Sequence, residues 1–192
     1  MRKIILAGLL TAFLTGCIIF DKKSEAVAFH QLSAPQIAPT RIGPVIFVPR
    51  AIIPSSLRRA NVVMLDEAGW VRVEDAHRWI NPLDRAIAET IGHHLTKLTG
   101  LPSAVQSPAG AHLTLLVDVN HMSVTANKQA VLEIRFRLES AEGTLLLEKA
   151  IIQSSAMGET TPEQYVRAQS ANLAAATATF SQLLPAELKL AR

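Results

Sequence analysis

The chain has 192 residues, of which 19 are Lys or Arg and 16 are Asp or Glu, and Cys17 is its single cysteine. This length fits one domain, and a single thiol excludes both disulfides within the chain and metal sites built from several cysteines. A pI of about 9.3 is compatible with nucleic-acid binding, but the sequence has no extended basic cluster and no aromatic-rich strand for base stacking, so nucleic acid is excluded as a partner.

The N-terminus has the pattern of a secretory signal. Arg2 and Lys3 are followed by an uninterrupted run of apolar or small residues from 4 to 14, which is the order of regions in such a signal. We therefore predict that residues 1–16 are a signal peptide. An uncleaved membrane anchor is the weaker alternative, because the run extended to Phe20 only reaches the lower limit of roughly 17 residues for a spanning helix. Cleavage leaves 17 of the basic residues against 16 acidic ones, a nearly neutral mature chain.

The segment that ends in Cys17 resembles the bacterial lipobox, in which small residues precede a cysteine that becomes the lipidated N-terminus. Leu14, Thr15 and Gly16 stand in front of this cysteine. The resemblance implies lipidation of Cys17, with palmitate among the acyl chains; the alternative is an ordinary apolar residue of the signal. Several acyl chains anchor a protein stably, since each buried methylene contributes about 0.8 kcal/mol. Ile18 stands where aspartate signals inner-membrane retention, which favours a periplasm-facing position at the outer membrane.

Residues 17–40 are predicted to form the lipidated N-terminus and a tether. This stretch contains a run of mostly charged residues from 21 to 25 and two prolines, Pro35 and Pro39. A short apolar patch around Phe29 and Leu32 could add a first strand. The remaining residues, 41–192, are predicted to form a single domain.

Three short strand-type runs open the domain, over residues 45–48, 62–65 and 70–73. The last two are joined by Asp66-Glu67-Ala68-Gly69, which predicts a hairpin with glycine near its turn. Residues 52–60 are predicted to be a loop that crosses the domain or reaches a partner. The tryptophans at 70 and 79 are interpreted as packing anchors, with a role in an interface as the alternative.

The first helix is predicted to begin at Asn81 and Pro82. Asn81 can accept hydrogen bonds from free backbone amides as the N-cap, and proline suits the first helical position. Gly100 and Pro102 are predicted to end the helix. Between these ends an apolar face recurs at intervals of three or four residues, formed by Leu83, Ile87, Ile91, Leu95 and Leu98.

Three longer runs predict an antiparallel meander. Residues 112–124 and 130–140 alternate apolar and polar side chains, as in strands with one face on a core, and a turn at Glu142-Gly143 leads into a third run over 144–153. The polar face of the second run is interpreted as the solvated side of the sheet, with a charged subunit interface as the alternative. Its residues are Glu133, Arg135, Arg137 and Glu139.

The last helix is predicted to start with the capping box Thr161-Pro162-Glu163-Gln164 and to reach Pro185. Its buried face is predicted at Val166, Leu173, Thr177, Phe180 and Leu184. The order of strands, helix, strands and helix predicts an α+β fold with a mainly antiparallel sheet and two helices packed on one face.

No metal or cofactor site is predicted, because the histidines lack the spacing of metal ligands. His93 and His94 are adjacent on a helix and point about 100° apart. His112 and His121 face opposite sides of one strand. The remaining two histidines, at positions 30 and 77, are expected to stand alone.

No catalytic residue is predicted either. Ser123, Ser154 and Ser155 lack the sequence context of a nucleophile elbow. Glu74 and Asp75 are interpreted as solvated charges or a cap. We therefore expect that the protein is not an enzyme, and an anchored hydrolase is kept as the alternative.

Residues 77–83, His-Arg-Trp-Ile-Asn-Pro-Leu, lead from a strand into a helix. They resemble the R-W-x-x-P-L signature of PqiC-like lipoproteins, which are also described as ABC-type transport auxiliary lipoproteins. Residues 42–45, residues 113–119 and Gln169-Ser170 also look like this family. The chain departs from it at Ile80-Asn81, where members often carry Ala-Glu, and in a reduced opening strand at residues 29–32. The four residues that match the signature are Arg78, Trp79, Pro82 and Leu83.

The resemblance implies a non-enzymatic component of an MCE/ABC-type system that moves lipids between the inner and outer membranes. It further implies an outer-membrane lipoprotein that forms a ring, and hence a homo-oligomer, in contact with MCE-type or ABC-transporter subunits. Sheet edges or the long last helix are candidate interfaces for such a ring. The alternative function is a lipoprotein assembly factor or an adaptor for cell-envelope enzymes.

Overall fold

The structure is a computed structural model that describes residues 26–66 and 68–189. The predicted signal peptide and Cys17 lie outside these residues. None of the described helices combines the length and the apolar character needed to cross a membrane. The strands and helices of the described residues are β1 (Ala28–His30), β2 (Val45–Phe47), β3 (Asn61–Leu65), β4 (Val71–Trp79), α1 (Leu83–Thr99), β5 (Ser103–Ala104), β6 (His112–Val124), β7 (Gln129–Glu139), β8 (Leu145–Ala156) and α2 (Pro162–Gln182).

The strands form two sheets. β6, β7 and β8 make the predicted antiparallel meander, and β2 and β5 extend it to five strands in the order β5-β2-β6-β7-β8. β2 is parallel to β5 and β6, because the chain returns through α1 before it enters those strands. The smaller sheet has the order β1-β4-β3, with β3 antiparallel and β1 parallel to β4. The prediction of a mainly antiparallel α+β fold is confirmed, with parallel pairs added by the short strands.

Both helices cover one face of the larger sheet, as predicted. Phe136 of β7 stacks on Phe180 of α2 with ring centroids 4.8 Å apart. Full burial of one large apolar side chain contributes about 1.5–3 kcal/mol, so this layer dominates the stability of the domain. The buried residues of the layer include Leu115, Val117 and Val119 of β6, Leu132, Ile134 and Leu138 of β7, and the predicted face of α1 at Leu83, Ile87, Ile91 and Leu95.

The N-terminus of α1 differs from the prediction. The residue that precedes the helix is Pro82, with φ −49° and ψ 132°, so the predictions of Asn81 as N-cap and of Pro82 as the first helical residue are both wrong. The extended ψ of Pro82 leaves Asn81 outside the first turn. Asp84 supplies an acceptor within the turn instead, because its Oδ1 accepts a hydrogen bond from the Arg85 amide at 2.9 Å. The C-terminus is as predicted, with Gly100 in the left-handed conformation at φ 72°.

The N-terminus of α2 has the predicted cap. Thr161 Oγ1 accepts a hydrogen bond from the Gln164 amide at 3.3 Å, and Pro162 occupies the first turn. The side chain of Gln164 turns to the preceding loop, where its Oε1 accepts from the Gly158 and Glu159 amides at 2.7 and 3.0 Å. The glutamine of the capping box therefore ties the helix to this loop rather than to the cap residue.

Replacing Thr161 by alanine is expected to lower the free energy of unfolding by about 1 kcal/mol, because the Gln164 amide loses its acceptor. The exposed neighbour Thr160 provides the matched control, and its replacement by alanine should change stability by less than about 0.5 kcal/mol. Urea unfolding of the two variants measures the difference. Equal losses in both would show that the cap contributes nothing.

Two segments have more structure than the sequence indicates, and the short N-terminal strand that it suggests is present. β4 continues to Trp79, past the predicted end at residue 73, because it is paired on both sides, with β1 and with β3. The segment 52–60 packs on the domain through Ile53 and Leu57, which are 4% and 2% exposed. The short strand predicted near Phe29 is present as β1, and the adjacent Leu32 is buried. Contacts with the domain therefore extend into the N-terminal part of the described chain.

Candidate functional site

The four signature residues lie where β4 meets α1. Trp79 ends β4, is 6% exposed, and donates its amide hydrogen to Ala60 O at 2.7 Å. Leu83 begins α1 and is 3% exposed. Arg78 and Pro82 are exposed. The signature thus combines two buried residues that join the sheet to the helix with two residues at the surface beside them.

A surface groove opens next to this junction. It encloses about 460 Å³ and is lined by residues 79–84 together with Arg50, Ile53, Arg58, Arg59 and Ala60. We call it the signature groove, because Trp79, Pro82 and Leu83 form part of its wall. Ile53 and Trp79 give it an apolar floor, and Ile80, which is 56% exposed, adds an apolar edge.

Arginines dominate the charged rim of the signature groove. Arg50 Nη1 lies 3.3 Å from Asp84 Oδ2. Arg58 Nε donates to Ile53 O at 3.3 Å, which holds the loop against the groove. Arg58 and Arg59 are both exposed, and neither forms an ion pair with another residue that the structure describes. A partner segment with both anionic and apolar groups fits this surface.

Gln169 and Ser170, which also resemble residues of the family, are buried in α2 and do not line the groove. Gln169 Nε2 lies within hydrogen-bond distance of Ser123 O at 3.4 Å and of Val131 O at 3.1 Å, and its Oε1 accepts from Asn172 Nδ2 at 3.3 Å. Ser170 Oγ accepts from the Ser33 amide at 3.0 Å. These two residues connect α2 to the sheet and to the N-terminal segment.

Of the candidate nucleophiles and acids, Ser155 and Glu74 are engaged in other contacts, Ser123 is buried, and Ser154 and Asp75 are exposed. Ser123 is 2% exposed. Ser155 Oγ donates to Asn172 Oδ1 at 2.7 Å, and a side-chain amide is not a general base. Glu74 pairs with Arg72 at an oxygen-to-nitrogen distance of 2.5 Å. These contacts suit structural roles, and the absence of catalytic residues stays a prediction.

Two surface features bear on possible interfaces. On the polar face of β7, Arg135 lies 3.7 Å from Glu148 of β8, and Glu133 accepts from Asn120 of β6 at 3.2 Å. Trp70 is 76% exposed, so its interpretation as a packing anchor is wrong, whereas Trp79 is buried as predicted. Both the polar face and Trp70 are therefore accessible on the monomer.

The expectation that His30 and His77 stand alone is also wrong. Their ring centroids lie 5.1 Å apart with the ring planes 23° from parallel, and the rings meet through His30 Nε2 and His77 Nδ1, which lie 2.8 Å apart. Glu163 Oε1 lies 3.4 Å from the same His77 atom. The pKa of His30 is lowered by burial and by the neighbouring His77, against a smaller opposing effect of Glu163. These are the residues of the described chain whose side chains could hold a metal ion.

His94 has a different environment from these two histidines. It is half-buried on α1 beside the exposed Lys97 and the half-buried His93. Burial lowers the pKa of His94, and contact with the Ser33 backbone offsets part of this shift. Its Nε2 is buried without a hydrogen-bond partner among the described residues. The absence of a metal site at His93 and His94 stays a prediction.

The comparisons with known proteins concern both family and fold. The sequence matches the model of a family described as ABC-type transport auxiliary lipoprotein component over residues 30–180. A comparison with curated protein sequences returned no match. The solved structure of an uncharacterized protein shares the fold with a TM-score of 0.71 at 18% identity, covering 84% of this chain and 100% of that one. A Xanthomonas campestris protein assigned to DUF330 gives a TM-score of 0.64 at 12% identity, covering 80% and 92%. Because the family match spans most of the sequence and includes all four signature residues, the chain belongs to the ABC-type transport auxiliary lipoprotein components.

Proposed function

We propose that this protein is the membrane-anchored component of an MCE/ABC-type system for intermembrane lipid transport, and that it acts by docking rather than by catalysis. It faces the periplasm from the outer membrane, held by lipid on Cys17, and works as a homo-oligomer. The observation that carries this proposal is the match of residues 30–180 to a family of ABC-type transport auxiliary lipoproteins.

The signature groove is the surface that we propose for docking an MCE-type or ABC-transporter subunit. Three of the four signature residues form part of its wall, and its rim carries the exposed residues Arg58 and Arg59. A guanidinium group can form two parallel hydrogen bonds with one carboxylate. The apolar surface of Ile53 and Ile80 lies beside these cations. A segment with an acidic and an aliphatic side chain would therefore use both parts of the groove.

The position of Cys17 suits such a role. Ala28, the first residue of β1, lies eleven positions after Cys17. An extended chain spans at most about 3.3–3.6 Å per residue, which limits this distance to about 40 Å. A domain on a lipid anchor of this reach stays close to the membrane, where it can meet the periplasmic part of a transport system.

Reversing both groove charges, with Arg58→Glu and Arg59→Glu, is expected to reduce recovery of the partner subunit at least about tenfold when the lipoprotein is purified from detergent extracts. Loss of one member of a charge pair that becomes buried on docking commonly costs 2–5 kcal/mol or more of binding free energy. A tenfold loss of affinity corresponds to about 1.4 kcal/mol. The reversal replaces attraction by repulsion and leaves the apolar floor in place.

The matched control reverses Lys97 and Lys149, two exposed cations that do not line the groove. It changes the net charge by the same amount and should leave recovery unchanged. If the unaltered protein recovers no MCE or ABC-transporter subunit, the proposal fails. Recovery of a cell-envelope enzyme in their place would instead support the role of an adaptor.

A further inference from the structure

Two histidines and a glutamate from three different elements meet where the smaller sheet adjoins α2. His30 ends β1, His77 lies near the end of β4, and Glu163 is in the first turn of α2. The closest approach is the 2.8 Å between His30 Nε2 and His77 Nδ1, and Glu163 Oε1 is 3.4 Å from His77 Nδ1. One potential ligand atom from each residue lies within 4.8 Å of the other two.

We propose that His30, His77 and Glu163 form a binding site for a divalent transition metal of the zinc class. This site is independent of the transport role proposed above. Imidazole nitrogen and carboxylate oxygen are both accepted by zinc, and imidazole also suits copper and nickel. Three protein ligands leave a fourth position for water or for a ligand from a partner.

An ion can enter if the ligand atoms shift slightly and the two imidazole rings turn so that both nitrogens point at it rather than at each other. Zinc–nitrogen bonds of about 2.0–2.1 Å at a tetrahedral angle place two ligand atoms roughly 3.3 Å apart. The two imidazole nitrogens must therefore separate by roughly 0.5 Å, and the carboxylate must close in by at most about 1.5 Å. The Glu163 side chain is 54% exposed, so it is free to make this movement, whereas the His77 side chain is 22% exposed and better fixed.

Backbone contacts hold the three ligand-bearing elements in place. β1 pairs with β4 in parallel, with His30 in register with Trp79, and the Ile80 amide donates to His30 O at 3.0 Å. Glu163 follows the Thr161 cap of α2. Burial lowers the pKa of His30, which favours the neutral imidazole that a metal needs. A hydrogen-bonded pair of neutral histidines is the alternative use of the same geometry.

A bound ion would fasten the N-terminal strand to the domain. β1 has three residues and, among the strands that the structure describes, is paired only with β4; in the sequence it lies between Cys17 and the rest of the fold. Coordination by His30, His77 and Glu163 would link β1 to β4 and to α2 at once. The metal would thus fix the point at which the tether leaves the domain.

The test is titration of the full-length lipoprotein in detergent, after treatment with a chelator, with Zn²⁺ by calorimetry and with Co²⁺ by visible absorption. We expect one ion per chain. His30→Gln and His77→Gln should each weaken binding at least about tenfold, since loss even of a group that only orients a metal ligand costs about 10–100-fold. Glu163→Gln should weaken it as well, and His121→Gln, at an exposed position outside the cluster, should bind as the unaltered protein does.

Circular dichroism and tryptophan fluorescence establish that each variant is folded. If a histidine variant loses the pairing of β1 with β4, Glu163→Gln still tests the site. The Glu163 side chain is exposed, so this change removes a ligand without loss of packing. Absence of Zn²⁺ binding to the unaltered protein would overturn the proposal. Binding of equal strength in His77→Gln, Glu163→Gln and the unaltered protein would overturn it too, and would leave the cluster as a hydrogen-bonded histidine pair.

Discussion

Replacing Gln169 by alanine is expected to lower the free energy of unfolding by about 3 kcal/mol. The side chain is fully buried; its amide group faces Ser123 O and Val131 O, and its oxygen accepts from Asn172. Alanine would leave both carbonyl oxygens without the Gln169 amide group, whereas Asn172 Nδ2 keeps its hydrogen bond to Ala130 O at 2.9 Å. Each buried group that loses its partner costs about 1–3 kcal/mol, and the 3.4 Å contact contributes the least.

Urea unfolding, followed through the fluorescence of the buried Trp79, measures this loss. Gln182, the exposed last residue of the same helix, gives the matched control. Its replacement by alanine removes the same side chain from a solvated position and should change stability by less than about 0.5 kcal/mol. If the two variants lose the same stability, Gln169 does not link α2 to the sheet as its contacts indicate.

Changing Cys17 to serine is expected to move the protein from the membrane fraction to the soluble periplasmic fraction and to abolish incorporation of labelled palmitate. A serine hydroxyl cannot form the thioether that carries the lipid, and two or more acyl chains are what makes such an anchor stable. Ser24→Ala, a change of similar size in the tether, should leave both properties unaltered. A Cys17→Ser protein that stays in the membrane would instead indicate an uncleaved N-terminal helix.

Parts of the fold could be predicted because burial on one side imposes a period on the sequence. Buried and less buried residues alternate throughout β7 and from Leu115 to Val119 of β6, and the alternation of apolar and polar residues predicted both strands to within a residue of their ends. The same dependence on a regular period makes the predicted β4 too short. Its second half contains Glu74, Asp75 and Arg78, which show no alternation, and it is a strand because β1 and β3 pair with it on either side. Such pairing is not visible in the local sequence.

The candidate site was only partly predictable for a similar reason. The signature predicted that Trp79 and Leu83 lie at a junction of strand and helix, which the structure confirms. The arginines of the groove come from residues 50–59, at least 19 positions before Arg78, and nothing local links them to the signature. His30 and His77 are 47 positions apart in the sequence. Their contact depends on the parallel register of a strand of three residues, which is too short to show a periodic pattern.

Photo-crosslinking from Ile80, at the edge of the signature groove, tests the docking role most directly. A photoreactive residue at this position, which is 56% exposed, should form a covalent product in cells with an MCE-type or ABC-transporter subunit. The same residue in place of Ile152, which is 69% exposed on β8, serves as the control and should not form that product. Formation of the product from neither position, or crosslinking of Ile80 to a cell-envelope enzyme alone, would contradict the proposed role in lipid transport.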